Sequence, residues 1–369
     1  MFELLTEQFT RAFEKISENA VKAYEEKLPL LTEYVNKKLT EKSEYRKLIG
    51  PNPVEVMESN HENHGRFMVT MFRIKSAESF LKTVFWVYSS YISRGFSSDY
   101  FPVELTAWKE GVKLYLAPSI TDGINDFYEL MIKNHEVFLS RSKEIDYKPV
   151  DEKYKVQFDE YFDALIEGST DKALAVARKY IRSHSHISDF WLNVVEPVMY
   201  KIGNYWSEGE ITVGQEHLAS SITQRVMVIF YPMILEVPRT GPSVLITTLA
   251  GEFHKIGSQI VSDLLELNGW NVYYMGANTP DESIISFLND KKINYAGIST
   301  TMIYNLRGVE GLIGRIRKEC PQKVNIVLGG QAYNYTEGLW KKLGADGFGT
   351  DAREAVELFN RFLVVNSEA

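Results

Sequence analysis

The first 235 residues have the apolar spacing of helices. Over residues 67–87, apolar side chains recur every three to four positions, which places them on broad faces of helices. Glycines and prolines interrupt this pattern at residues 50–53, 95–102 and 118–123. We therefore predict at least five helices between residue 1 and about residue 146.

A second, shorter helical segment follows a charged stretch. Residues 146–155 (DYKPVDEKYK) lack periodicity and contain a proline, so we place the first domain boundary at about residue 150. The helices beyond it are predicted to begin near residue 156, to be interrupted at Gly168 and near Pro197, and to end at Leu235. We expect Asp171 to cap the second of these helices. The second boundary is PRTGP, residues 238–242.

After Gly241 the pattern changes to short strands that alternate with helices. The predicted strands are short apolar runs rich in β-branched residues, at 243–249, 271–275, 295–299, 325–328 and 346–349. The predicted helices between and after them are 254–267, 281–289, 306–318, 336–343 and 352–363. This alternation predicts a parallel sheet covered on both faces. Such a sheet binds ligands beyond the carboxyl ends of its strands, so the loop after the first strand is the first candidate site.

Composition narrows the class of protein. The 369 residues include 49 acidic and 41 basic ones, and the net charge of −8 argues against a nucleic-acid-binding surface. The single cysteine, Cys320, excludes an internal disulfide, a cysteine-built zinc site and an iron–sulfur cluster. No continuous apolar run reaches the ~18 residues of a membrane span, and the acidic, amphipathic first helix is unlike a signal peptide. We expect a cytoplasmic protein without membrane or DNA contacts.

The loop after the first predicted strand contains a carboxylate and a histidine two residues apart. Glu252 can hold one ring nitrogen of His254, so that the other nitrogen faces outward as a metal ligand. Gly257 would let a bulky group approach the first turn of the next helix. Taken alone, the same spacing also fits an ordinary surface loop.

Polar and glycine residues follow two further strands at the same edge of the predicted sheet. Ser299 ends the third strand, with Thr301 two residues later, and Gly329 and Gly330 follow the fourth, next to Gln331. A hydroxyl and two glycines there suit a deep slot between strands that accepts a polar tail.

The motif E-x-H-x-x-G at residues 252–257, together with the serine and glycines, resembles the cobalamin-binding domain of methionine synthase, corrinoid methyl carriers and cobalamin photoreceptors. The resemblance implies that His254 is the lower cobalt ligand and that Glu252 is its hydrogen-bond partner. Glu252 is longer by one methylene than the family's usual aspartate, and Thr301 stands where leucine is common. The other implied cofactor contacts are Gly257, Ser299, Thr301, Gly329, Gly330 and Gln331.

A second motif lies in the helical segment before the sheet. Residues 202–219 (IGNYWSEGEITVGQEHLA) resemble the helical cap of CarH-type photoreceptors, which use adenosylcobalamin to sense light. The resemblance implies that Trp206, Val213, Glu216 and His217 contact the upper side of the cofactor. Ser207 stands where the prototype has a histidine. Without the resemblance, Trp206 would be a core residue, and Glu216 and His217 an exposed helix start.

Residues 76–116 are rich in aromatic side chains and resemble the N-terminal domain of photocobilins, which pair cobalamin with biliverdin. The resemblance implies a bilin bound without a thioether, because Cys320 lies in another domain. Arginines suit its propionates because a guanidinium pairs with a carboxylate through two hydrogen bonds. The alternatives are a packed helical core and solvated histidines. The candidate contacts are His61, His64, His135, Arg66 and Arg94.

We therefore predict three domains at residues 1–150, 151–238 and 239–369. They are an all-helical domain (globin-like or a bundle), a helical-bundle cap and a flavodoxin-like, doubly wound parallel sheet. The predicted function is a non-enzymatic light sensor that forms a homo-oligomer. Photolysis of the Co–C bond of adenosylcobalamin would rearrange the cap and change assembly or binding of an unidentified protein, with biliverdin as a second chromophore. The alternatives are a corrinoid protein that carries a methyl group between methyltransferases, and a module that keeps the fold without binding cobalamin.

Overall fold

The computed structural model describes residues 2–144 and 149–367, with side chains to residue 363. The chain divides into two compact units. The first contains Met1–Asp146 and Ser207–Glu210, and the second contains Tyr147–Trp206 and Ile211–Ala369. Apart from Ser207–Glu210, the segments predicted as cap and sheet lie in the second unit, and the division into three domains stays a prediction.

The first unit is helical throughout its described residues, as predicted. Its interior is built on a cluster of five phenylalanines whose ring centroids lie 4.6–6.4 Å apart, which is a range typical of aromatic packing in cores. The cluster consists of Phe9, Phe13, Phe72, Phe80 and Phe127. The helices are α1 (Phe2–Glu14), α2 (Glu18–Glu26), α3 (Leu28–Thr40), α4 (Tyr45–Ile49), α5 (Val54–Ile74), α6 (Ala77–Ser93), α7 (Tyr100–Tyr115), α8 (Pro118–Lys133) and α9 (His135–Arg141).

The two histidines on α5 are withdrawn from solvent, so the alternative that they are solvated is wrong for both. His61 is fully buried, and its Nδ1–H donates to Oδ1 of Asn36 at 2.5 Å. His64 Nε2 lies 3.2 Å from the hydroxyl of Tyr128, which in turn lies 2.7 Å from the hydroxyl of Tyr24. Burial lowers the pKa of each histidine to about 3, so both rings are neutral at pH 7.

A buried glutamate lies beside this histidine network. Glu104 Oε1 is 3.6 Å from His64 Nδ1 and accepts a hydrogen bond from the indole N–H of Trp108 at 3.1 Å. Burial raises the pKa of Glu104 to about 8, and the indole hydrogen bond offsets this only in part. In the unfolded chain the same carboxyl titrates near pH 4.5. Between pH 4.5 and pH 8 the folded state therefore holds a proton that the unfolded state has lost, and stability falls as pH rises.

We expect Glu104→Gln to remove this loss of stability. As pH rises from 6.5 to 8, the free energy of unfolding of the original chain should fall by about 1.5 kcal/mol relative to that of the variant. Urea unfolding of the full chain, followed by circular dichroism, measures both values. The two buried histidines bind protons near pH 6.5 only in the unfolded chain, and they do so equally in both proteins, so their contribution cancels in the comparison. Equal slopes in the two proteins would show that Glu104 is not the group responsible.

The second unit begins with five helices, α10 (Lys155–Ile166), α11 (Thr170–Tyr180), α12 (His184–Phe190), α13 (Glu196–Glu208) and α14 (Val213–Leu235). Two local predictions were wrong. Ser169, not Asp171, caps α11, because Ser169 has extended backbone angles and its hydroxyl accepts the N–H of Lys172. The helix near Pro197 is not interrupted by a loop. A π-helical turn, Trp191–Val195, joins α12 to α13 and carries the chain past a proline that cannot donate a backbone hydrogen bond.

Helix α14 is unusually apolar. Among residues 2–144 and 149–367, it is the one helix with the length and hydropathy of a membrane span, and 39% of its most apolar window is buried within the protein. Its buried side contains Ala219, Ile222, Val226 and Phe230 and packs on helices of its own unit. The core helix of a folded bundle has the same properties. The expectation based on continuous apolar runs missed this helix because polar residues interrupt it.

The sheet has five parallel strands in the order β2-β1-β3-β4-β5, which confirms the predicted flavodoxin-like topology. The order reverses at β1, so the loops that follow β1 and β3 border the crevice where such sheets bind ligands. The strands are β1 (Ser243–Leu249), β2 (Asn271–Thr279), β3 (Tyr295–Ser299), β4 (Asn325–Gly329) and β5 (Gly347–Gly349). The helices are α15 (Ile256–Leu267), α16 (Asp281–Asp290), α17 (Leu306–Glu319), α18 (Leu339–Lys342) and α19 (Ala352–Ser367).

Candidate functional site

The loop between β1 and α15 is held in place by the end of β2. The hydroxyl of Thr248 and the backbone N–H of Asn278 both donate to the carbonyl oxygen of Glu252, at 2.8 and 2.9 Å. The side-chain oxygen of Asn278 accepts the N–H of Gly251 at 2.8 Å. Asn278, which has a left-handed backbone conformation (φ 55°), is thus bonded to the loop through both its backbone and its side chain. The sequence offered no sign of this role, because β2 continues four residues beyond its predicted end.

The carboxylate of Glu252 is completely buried and accepts five hydrogen bonds. Its Oε1 accepts from the ring Nδ1 of His254 at 2.6 Å and from the backbone N–H of His254 at 3.1 Å. Its Oε2 accepts from the backbone N–H groups of Thr301 and Met302, each at 3.0 Å, and from the side-chain amide of Asn305 at 3.2 Å. The loop after β3 therefore supplies the hydrogen-bond donors to Oε2, and the loop after β1 supplies those to Oε1.

These hydrogen bonds decide the charge of Glu252. Burial by itself favours the neutral acid, but the ring and backbone of His254 and the backbone N–H of Met302 outweigh it and lower the pKa of Glu252 to about 2. The ionised carboxylate keeps a proton on Nδ1 of His254. Nε2 is then the ring atom with a free lone pair, on a side chain that is 57% exposed. The Glu252–His254 pair can therefore present one imidazole nitrogen to a metal.

Gly330 and Gly257 differ in whether a larger side chain would fit. Gly330 has a φ of 105°, and a Cβ there would lie 2.3 Å from the carbonyl oxygen of Thr300, so a larger residue does not fit. At Gly257 a Cβ would meet nothing within 4 Å, so the space beside the first turn of α15 is open. Ser299 and Gly329 are register partners on β3 and β4.

Thr300 joins the two loops that border the slot and was not identified from the sequence. Its N–H donates to the carbonyl oxygen of Gly329 at 2.9 Å, and its own carbonyl oxygen accepts the N–H of Ala332 at 3.3 Å. Its hydroxyl accepts the phenol of Tyr333 at 3.1 Å. Gln331, a predicted contact, is exposed beside these residues. The loops after β3 and β4 are therefore bonded to each other at the edge of the sheet.

The candidate residues of the cap lie at the end of α13 and the start of α14. Trp206 is partly buried against the core of the second unit, and Val213 is exposed at the first position of α14. The helix start is well defined, because Thr212 and Gln215 form a reciprocal capping box.

Glu216 and His217 form a second glutamate–histidine pair. Nδ1 of His217 lies 2.5 Å from Oε2 of Glu216, and Ser220 donates to Oε1 of the same carboxylate at 2.8 Å. Within the described part of the chain, no hydrogen bond or ion pair joins these residues to Glu252 or His254. The structure thus shows two separate pairs, one on the cap and one on the sheet.

The candidate bilin contacts all belong to the first unit. His61 and His64 are in its interior, the ring of His135 is bonded to the hydroxyl of Tyr88 at 3.1 Å, and Arg66 is exposed. Over residues 2–144 and 149–367, no group of three or more His, Cys, Asp or Glu side chains is arranged to hold a metal ion. This finding is consistent with a metal that is already bound by a cofactor and needs a single nitrogen ligand from the protein.

Comparisons with known proteins identify the second unit. Two family models, each described as a B12 binding domain, match residues 157–230 and 242–357. Dimethylamine corrinoid protein 1 of Methanosarcina mazei is 26% identical over 208 residues, which cover 56% of this chain and 95% of that protein. Dimethylamine corrinoid protein 3 of the same organism is 31% identical over 110 residues, 30% of this chain and 65% of the relative. The solved structure of the Methanosarcina barkeri monomethylamine corrinoid protein has a TM-score of 0.47 at 20% identity and covers 56% of this chain and 97% of that one.

Proposed function

Given that this chain is a cobalamin-binding protein with two B12-binding regions, we propose that it is a corrinoid protein that carries a methyl group between partner methyltransferases. The observation that carries the proposal is the Glu252–His254 pair, a partly exposed imidazole held by a buried, ionised carboxylate. When bound, cobalamin supplies a cobalt centre that can accept and release a methyl group.

The residues of the sheet edge fit this cofactor. His254 would bind the cobalt through Nε2. Glu252 would keep the proton on Nδ1 and increase the basicity of the ligating nitrogen, as carboxylates do behind metal-bound histidines. The open space at Gly257 leaves room for a ring system beside α15, and Ser299 and Gly330 would border the nucleotide tail.

The relatives favour a carrier over an enzyme. Both are named corrinoid proteins, and the match to the first covers nearly its whole length with just over half of this chain. We propose that this chain likewise has no catalytic activity of its own and that a separate methyltransferase is its partner. The family models leave residues 1–156 unmatched, so most of the first unit lies outside the B12 binding domains.

The first unit supports a second candidate, an adenosylcobalamin light sensor that also binds biliverdin. Two of its fully buried polar atoms, Nε2 of His61 and the hydroxyl of Tyr100, have no hydrogen-bond partner among the described residues. Buried polar atoms normally have a partner, so a ligand with complementary donors or acceptors would satisfy both. In this second proposal Trp206 would pack against the adenosyl group.

Reconstitution of the full chain in darkness distinguishes the two functions. A methyl carrier is expected to bind methylcobalamin, to be demethylated by a methyltransferase that acts on methylamines or thiols, and to keep its hydrodynamic size when the adenosylcobalamin form is illuminated. A size change on illumination, or a far-red absorbance band after addition of biliverdin, would favour the sensor. If no form of cobalamin is taken up, both proposals are wrong.

A further inference from the structure

Helix α14 has an apolar face that no other described part of the second unit covers. Val228 and Leu235 are 63% and 60% exposed, and Ile229 and Pro232 are exposed next to them. These side chains lie opposite the buried face of the helix, at the spacing of residues on one side of an α-helix. A contiguous apolar patch on one helix marks a surface that binds another molecule. We call these four residues the α14 patch.

Opposite charges lie at the two ends of the α14 patch. Arg225 precedes it and Glu236 follows it. The two positions are 11 residues apart, which is about three helical turns, so both side chains lie on the same face about 16 Å apart. Within residues 2–144 and 149–367, no carboxylate pairs with Arg225. The carboxylate of Glu236 is 69% exposed, with His184 Nε2 at 3.3 Å.

We propose that two copies of this chain associate through their α14 helices in an antiparallel arrangement. Along the helix, this face is positively charged at Arg225, apolar over the α14 patch and negatively charged at Glu236. In the antiparallel arrangement Arg225 of each copy lies opposite Glu236 of the other, and the two α14 patches meet at the two-fold axis. A parallel arrangement would place like charges opposite each other. The pattern is therefore complementary to itself, which is what a symmetric dimer interface requires.

A membrane is a poorer match for the same face. Helices that lie on membranes carry several Lys or Arg residues beside their apolar side, which attract anionic lipids. Arg225 is the one such residue on α14. One pair of helices is smaller than a standard interface of about 1,600 Å², so we expect a dimer that dissociates on dilution.

Reversal of charge tests the arrangement. Arg225→Glu and Glu236→Arg should each raise the dimer dissociation constant about tenfold or more, since each places like charges opposite one another twice. The double variant Arg225→Glu/Glu236→Arg should restore the dimer, because the opposite charges are again paired. Arg178→Glu, at an exposed arginine of α11, is the matched control and should leave the dimer unchanged.

Sedimentation velocity over a dilution series of the full chain, with and without cobalamin, measures these constants, and circular dichroism checks that each variant is folded. A monomer at every concentration would overturn the proposal, as would a dimer that the single variants leave intact or that the double variant fails to restore. Binding of a monomeric chain to phosphatidylserine-containing vesicles would assign the face to a membrane instead. None of these results bears on the proposed binding of cobalamin by His254, so the dimer proposal can be wrong while the proposed function is right.

Discussion

His254→Ala is expected to abolish nitrogen ligation of the bound cobalamin by the protein and to weaken its binding about 100-fold or more. The expected loss is this large because removal of a residue that only orients a metal ligand typically costs 10–100-fold, and here the ligand itself is removed. The variant also loses the ring N–H that donates to the buried carboxylate of Glu252, so some stability should be lost, and circular dichroism checks that it is folded.

Two measurements check this result. Titration with cobalamin, followed by absorbance, gives the affinity. Electron paramagnetic resonance of the cob(II)alamin form, with protein grown on ¹⁵N-histidine, reports directly whether a histidine nitrogen is bonded to cobalt. His186→Ala, at an exposed histidine of α12, is the control and should keep both signals. Nitrogen coupling that survives in His254→Ala would remove this residue from its proposed role.

Glu252→Ala is expected to reduce the free energy of unfolding of the second unit by about 2–5 kcal/mol. The substitution leaves the N–H groups of Thr301 and Met302 without this acceptor, removes one hydrogen bond from the side-chain amide of Asn305, and releases the ring of His254. Cobalamin affinity should fall as well, because the imidazole loses its orientation. Urea unfolding measures the first effect and cobalamin titration the second. Glu252→Asp, which keeps the charge, should lose less in both.

The charge of Glu252 also predicts a pH dependence. Its pKa is about 2 in the folded chain and near 4.5 in the unfolded chain. The stabilisation is therefore complete above pH 4.5 and is lost as pH falls toward 2, up to about 3 kcal/mol in total. Glu252→Gln keeps the volume but removes the titration, so its unfolding free energy should change less between pH 6 and pH 3. Equal changes in the two proteins would contradict the low pKa of this group.

Much of the fold was predictable from the sequence because it depends on local patterns. The change from helical spacing to short β-branched runs after Gly241 predicted a parallel sheet with covering helices, and the structure confirms it. The spacing of Glu252 and His254 predicted that they would bond to each other, because residues two apart on a strand-to-helix loop are close in any arrangement of the strands. Cobalamin as the ligand came from the resemblance of this motif, together with Ser299, Gly329 and Gly330, to a known domain.

Other features of the site were decided by the tertiary structure. Asn278, Met302 and Asn305 complete the surroundings of Glu252, yet they lie 26 to 53 residues further along the chain. Their role depends on which strands are neighbours in the sheet. The burial of His61 and the exposure of the α14 patch depend in the same way on which helix faces pack together. The sequence by itself therefore determined the elements and the local Glu252–His254 pair. Strand order and helix packing decided the hydrogen-bond partners and the charge of Glu252 and the exposure of the α14 patch, because hydrogen bonding and burial depend on contacts between residues distant in the chain.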